Sequence, residues 1–441
     1  MDLAKFSKEF AFWFGSVLIA IMALIIFLMI PLENQSKGPE TLKKIYFVDN
    51  ISIAHQTLID KFNKLHEGEI EVIPVNLPFS KFSTNERKEI LARSLRSKSE
   101  RIDIFSIDVI WGPRFARWSY PLDNYVTQDE LKNLNRYALE TCYYKNRLIA
   151  LPLYIDIGLL YYRKDILSKF PDHQAIEEKL RHSITWEEFI ALGKRWKWKN
   201  PFYIFAGDSF EGLVCSFHEM LTQKQIRSIF DSPRINLSTA ATERGMHLLV
   251  DMMNRYRFTP KVVAHFDEYK CYQYAIDNDA LFLRGWTGLH QQFSQIKTFQ
   301  DKLNNIDIAP LPRFKENEKS AVFGGWNMMV SKYSKNKKEA IDFIKFVQET
   351  ENQEQLFRFG GYIPVNKAVY KDSLFLAQNS RLGEYLHLLD FGKHRPMRED
   401  YTMISDIVSH YLNSALKKEI SVEDALKEAS QKINTSQVFL K

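Results

Sequence analysis

Between Lys44 and Ile107 short apolar runs alternate with amphipathic, charged ones, and that order leaves few folds open. Lys44–Val48 (KIYFV) predicts a strand. Ala54, Leu58, Ile59 and Phe62 mark one face of a helix. Glu69–Val75 again predicts a strand, and Glu86–Arg96, with Ile90, Leu91 and Leu95 apolar, a second helix. Ile102–Ile107 (IDIFSI) predicts a third strand. A β-α-β-α-β order implies a parallel sheet covered by helices. Ligands of such sheets sit at the carboxyl ends of the strands. Asp108 and Trp111 follow the third strand directly, so they stand where a ligand would be.

The mixed character continues. Thr185 and Glu188 have capping-box spacing before a helix. Asn336 and Glu339 repeat that spacing before Ala340, Phe343, Ile344 and Val347. Met246, Leu249, Val250 and Met253 recur at helical period after Ser238. Ala321–Val330 (AVFGGWNMMV) reads as a strand broken by Gly324-Gly325. The 441 residues suffice for two or three domains, each with a real core. A net charge of +6 is too small for a nucleic-acid binder, which needs a concentrated basic patch. Cys142, Cys215 and Cys271 are too few for a disulfide scaffold and lack zinc-site spacing. Buried thiols are expected, with a Cys215–Cys271 bridge as the alternative.

Phe10 to Leu32 contains no charged residue and is bracketed by Glu9 and Glu33. As a helix its 23 residues would span about 34 Å, enough for a bilayer core. The exit, Phe27-Leu28-Met29-Ile30-Pro31-Leu32, is bulky and has no small-x-small cleavage pattern, and no Cys follows it. An uncleaved anchor is the expectation and a cleaved signal peptide the alternative. Lysines on both sides leave the orientation undecided.

Catalytic signatures are missing: there is no G-x-S-x-G, no Walker loop and no G-x-G-x-x-G. His218-Glu219 lacks a second His and reads as a solvated helix pair. Instead, aromatics stand beside turns and acids: Asp108 near Trp111-Gly112, Tyr154 near Asp156, Gly285-Trp286, and Gly324-Gly325-Trp326-Asn327. A pyranose has an apolar C–H face that stacks on Trp or Tyr, and hydroxyls that acids can bind. Any one of these aromatics taken alone fits a core position better, and the four cases together shift the balance toward a site.

The segments DIFSIDVIWGPRFARW (103–118), Pro121-Leu122-Asp123, ALPLYIDIGLLYYRKDIL (150–167), TWEEF (185–189), FEGLVCSF (210–217), FGGWNMMVSKYSKNKKEAIDFIKF (323–346) and GGYIPVNKAVY (360–370) occur in that order. Together they resemble the family 1 extracellular solute-binding proteins of ABC importers, the maltose/trehalose-binding type. The resemblance implies an α/β, two-lobe periplasmic-binding-protein fold of type II. Its ligand cleft lies between the lobes, and here one N-terminal transmembrane helix precedes it. The implied division is a cytoplasmic tip at 1–9, an anchor at 10–32 and a linker at 33–43. Lobe 1 would comprise 44–152 plus 287–350, and lobe 2 153–286 plus 351–441, with hinges near Pro152 and Trp286.

By the same resemblance Asp108, Tyr154, Asp156, Glu211, Gly212, Trp286, Gly325, Trp326, Tyr362 and Arg395 would bind sugar, with Trp111 beside them. For Arg395 a surface salt bridge is the alternative. The implied protein is a membrane-tethered, extracytoplasmic receptor that captures a di- or oligosaccharide by hinge closure and presents it to ABC permease subunits. It would be no enzyme, need no cofactor or metal, bind no nucleic acid, and have a monomeric soluble part. A sugar-sensing module for another membrane protein, or a glycan-acting enzyme, are the alternatives. The stretch 220–235 lacks the family's usual Gly-rich segment, so the sugar is not named.

Overall fold

The computed structural model describes residues 42–438. The expected tip and anchor, and all but the last two residues of the expected linker, lie outside the described residues. Among the described residues no helix is long and apolar enough to cross a membrane.

Twelve strands occur in chain order among the described residues: β1 Lys43–Asp49, β2 Ile70–Asn76, β3 Ile104–Asp108, the two-residue pair β4 Tyr143–Tyr144 and β5 Arg147–Leu148, β6 Leu151–Ile157, β7 Leu159–Arg163, β8 Tyr203–Ile204, β9 Phe282–Gly285, β10 Ile306–Ala309, β11 Ala321–Val330 and β12 Gly392–Lys393. They build two main sheets. One has the order β12-β11-β3-β1-β2, with β6 also paired to β11; the other has the order β10-β7-β9-β8. Each is covered by helices, which makes a mixed α/β fold of two lobes.

Local chemistry starts the first lobe as expected. Ser52 caps helix Ile53–Leu65, and Ser83 with Glu86 forms a capping box on helix Thr84–Arg96. Ala54, Leu58, Ile59 and Phe62 are on the buried face of the first of these. Phe62 meets Phe343 edge-on at 5.1 Å, which joins that helix to helix Lys337–Val347. Burying each such ring contributes roughly 1.5–3 kcal/mol.

Several expectations change. β1 and β3 are parallel, but β11 runs antiparallel to both β3 and β6. It reaches the sheet from the other lobe, so no helical crossover sets its direction. Gly324-Gly325 does not break β11, whose ten residues are all buried. The registers instead slip beside Trp326. Asn336 makes no side-chain cap; its amide donates to the Lys44 carbonyl at 3.0 Å. His218 and Glu219 are buried, not solvated.

The exchange of chain between lobes also differs from the expected boundaries. Residues 306–309, assigned to lobe 1, form β10, which pairs with β7 in the second sheet. Residues 392–393, assigned to lobe 2, form β12, which pairs with β11 in the first. Helix Thr350–Gly360 is tied to helix Ile53–Leu65 through Lys61, which reaches Asn352 and Glu351 at 2.9 Å each. The chain passes between sheets at Gly158, again at 310–320, and after β12 on its way to helix Tyr401–Leu416. Trp286 is therefore no crossing, because the chain stays with the second sheet until β10.

Candidate ligand-binding cleft

A cavity of about 480 Å³ lies between the sheets, within the size range of small-molecule sites. Its first wall is a row across three strands. Trp326 on β11 sits opposite Asp108 on β3 and Tyr154 on β6, and Gly324 opposite Asp156. Strand pairing therefore brings together residues far apart in sequence. Gly325 has φ +125°, and a Cβ there would stand 2.5 Å from the Tyr154 carbonyl oxygen, so only glycine fits. Tyr362 stacks on Tyr154 with centroids 4.2 Å apart and planes 15° apart.

Trp326 is backed rather than free. Trp111 meets it edge-on at 5.4 Å, Phe79 at 5.8 Å, and the Arg87 guanidinium lies 4.3 Å from its centroid. Arg87 is also 4.2 Å from the Phe79 ring and donates to Asp49 at 2.8 Å. That is a cation between two π faces. Trp111 is only 2% exposed, stacks on Phe115 and does not line the cavity. Its expected place in the site is corrected: the turn after β3 points the ring into the core behind Trp326.

The second wall is built around Trp286, half-buried at the end of β9. Its backbone N–H donates to the Tyr272 hydroxyl at 2.7 Å, and its carbonyl accepts from Tyr161 at 2.5 Å. The indole N–H donates to Glu268 at 3.3 Å. The Arg284 guanidinium lies 4.2 Å from the ring and is held by Glu219 through two hydrogen bonds of 3.0 and 2.7 Å. The ring also reaches the first wall: a Cβ on Gly324 would stand 2.7 Å from it.

Asp156 is 8% exposed. Its Oδ1 accepts from the Thr287 N–H at 3.0 Å, the Thr287 hydroxyl at 2.8 Å and the Ile157 N–H at 2.8 Å. Burial pushes its carboxyl up to about 6, against the pull of those hydrogen bonds.

Arg395 is no surface salt bridge. Its side chain is 1% exposed, and it donates to Asp108 at 2.9 Å and to Glu211 at 2.7 Å. Glu211 also accepts from Tyr401 at 3.0 Å and from Ser405. Burial raises the Glu211 carboxyl, with the Arg395 charge opposing. Asp108 in addition caps the turn after β3, accepting from Ile110 N–H at 3.1 Å. Gly212 lets Glu268 approach the helix Glu211–Glu219, since a Cβ there would meet its Oε1 at 2.5 Å.

Ten of the eleven expected site residues thus line one cavity, and Trp111 does not. Sequence reasoning missed Phe79, Glu268 and Thr287 in the lining and Arg87 behind it. Phe79 follows the carboxyl end of β2, and Glu268 stands beside Tyr269, so the signals used for other residues apply to both.

The profile of bacterial extracellular solute-binding proteins matches residues 57–380. The chain belongs to that family. A probable ABC transporter-binding protein of Deinococcus radiodurans is 25% identical over 347 residues, covering 77% of this chain and 81% of that one. Maltose-bound T. maritima MalE3 has a TM-score of 0.78 at 24% identity, covering 89% of this chain and 99% of that one. The Thermus thermophilus maltotriose binding protein, bound with maltotriose, has a TM-score of 0.69 at 18% identity, with 89% and 99% covered. At those identities the likeness to solved structures is one of fold.

Proposed function

We propose that this protein captures a carbohydrate in the cleft between its lobes and presents it to an ABC importer. The observation that carries the reading is the make-up of the cavity. Trp286, Tyr154, Tyr362 and Trp326 supply flat apolar faces, and Asp108, Asp156 and Glu211 supply acceptors for hydroxyls. A sugar offers both complements at once. The sugar-bound state of its structural relatives and the transporter-binding name of the Deinococcus relative support it.

In this reading the uncharged run Phe10–Leu32 stays in the membrane and holds the lobes outside the cytoplasm, as a single-pass anchor. The protein binds and releases without turnover, as a monomer, with the lobes closing on the ligand. The test is a thermal-shift screen of the full chain against mono-, di- and oligosaccharides, with the recovered sugar analysed for cleavage. A ligand at 100 times its Kd stabilises by about 2.7 kcal/mol. Stabilisation by none of them would overturn the carbohydrate assignment; a cleaved sugar would make the protein an enzyme.

A further inference from the structure

The charge of the cavity narrows the ligand. Five carboxylates line it, Asp108, Asp156, Glu211, Asp267 and Glu268, against one cation, Arg395; among the described residues the lining has no lysine and no histidine. Five acids against one base leave four formal negative charges. Both terminal nitrogens of Arg395 are engaged, one on Glu211 and the other on Asp108 and the Phe323 carbonyl. Asp267 caps its own helix, accepting from Lys270 N–H at 2.9 Å, with the Lys270 ammonium 3.7 Å away.

No cation hydrogen-bonds to Asp156 or Glu268 among the described residues; the Arg284 guanidinium acts on both only through space. Consecutive residues hold them: Thr287 donates to Asp156, and the Trp286 indole donates to Glu268. Asp156 is more than nine-tenths buried, and its Oδ2 accepts no hydrogen bond from any described residue while the side chain lines the cavity. Arg284, at the Trp286 ring, is paired to Glu219 instead. Burial pushes both carboxyls up to about 6, and the nearby Arg284 charge opposes it only in part.

We propose that the ligand is a cationic amino sugar, its ammonium held by Asp156 and Glu268 while its ring lies on Trp286. The inference rests on the carbohydrate reading above. An ammonium donates to both carboxylates and neutralises charge where the dielectric is low. A neutral hydroxyl donates but leaves the charge uncompensated. A uronate or sugar phosphate finds no free cation among the described lining residues and is repelled.

Calorimetry on the full chain in detergent at neutral pH tests this with sugars that differ only by amine or hydroxyl. The probes are glucosamine and glucose, galactosamine and galactose, and the chitosan and cellulose trimers. In the pair that fits the cleft the amine should bind at least about tenfold tighter. Glu268→Gln and Asp156→Asn should each move that ratio toward one. If the hydroxyl member binds as tightly as the amine, the cationic assignment is overturned and the carbohydrate reading stands. If no member of any pair binds, the cationic assignment falls, and the wider saccharide screen decides the carbohydrate reading separately.

Discussion

Asp156 carries a proton-linked signature that can be measured without a ligand. Its carboxyl is moved from 3.8 to about 6. A buried acid with a raised folded value stabilises the fold while protonated. That contribution is complete below about pH 4 and is lost as pH rises through about 6. The shift corresponds to on the order of 3 kcal/mol. The amide of an Asp156→Asn variant cannot titrate, so wild type should lose stability relative to that variant between pH 4 and pH 7 by that order. Urea unfolding at the two pH values measures it; parallel profiles would show that water or a counter-charge already reaches the carboxylate. Burial of the three free cysteines has the same physical source: it raises Cys142, Cys215 and Cys271, which suits inert thiols.

Among the elements, β11 organises the cleft, because it pairs with β3, β6 and β12 together. Gly325→Ala would force a side chain into the left-handed half of φ space and into the Tyr154 carbonyl. The cost should be at least about 1–3 kcal/mol, read as a lowered melting midpoint, and β6 should shift with it. An unchanged midpoint would mean that the bulge relaxes freely. How far the sequence could be read follows from the range of the forces. The Thr185–Glu188 box is visible because both partners lie within one turn, and the structure contains it. Asn336 failed because a distant acceptor, the Lys44 carbonyl, took its amide. The three starting strands were legible from local hydrophobicity. β10 and β12, of four and two residues, owe their places to distant partners, and no local pattern announces them. Asp108, Tyr154, Asp156, Trp286, Gly325 and Trp326 were legible as aromatics beside glycines and acids, whereas Glu211, Gly212, Tyr362 and Arg395 came from the family resemblance alone. The role of Trp111 was not legible, since the same pattern also occurs where a ring turns inward.

At the scale of the whole molecule, Arg395 lies on the third passage between the lobes and holds a carboxylate from each: Asp108 at the end of β3 and Glu211 on the helix beside the second sheet. Removing it strands two buried charges. Arg395→Met should cost about 3–5 kcal/mol in denaturant unfolding, and adding Asp108→Asn with Glu211→Gln should recover part of that. A loss that the neutral partners do not relieve would assign the effect to packing alone.

The central claim, a carbohydrate stacked in the cleft, is best tested at Trp286. Trp326 is 8% exposed and braced by Trp111, Phe79 and Arg87, so its truncation would damage the fold as well, by about 3–5 kcal/mol. Trp286 is half-buried, and Arg284 beneath it keeps its own partner in Glu219. The decisive measurement is titration calorimetry of wild type and Trp286→Ala with the sugar that the screen identifies, expressed per folded molecule. Loss of the stacking platform should weaken binding about tenfold, or ~1.4 kcal/mol. An affinity that does not change would place the sugar elsewhere and contradict the account.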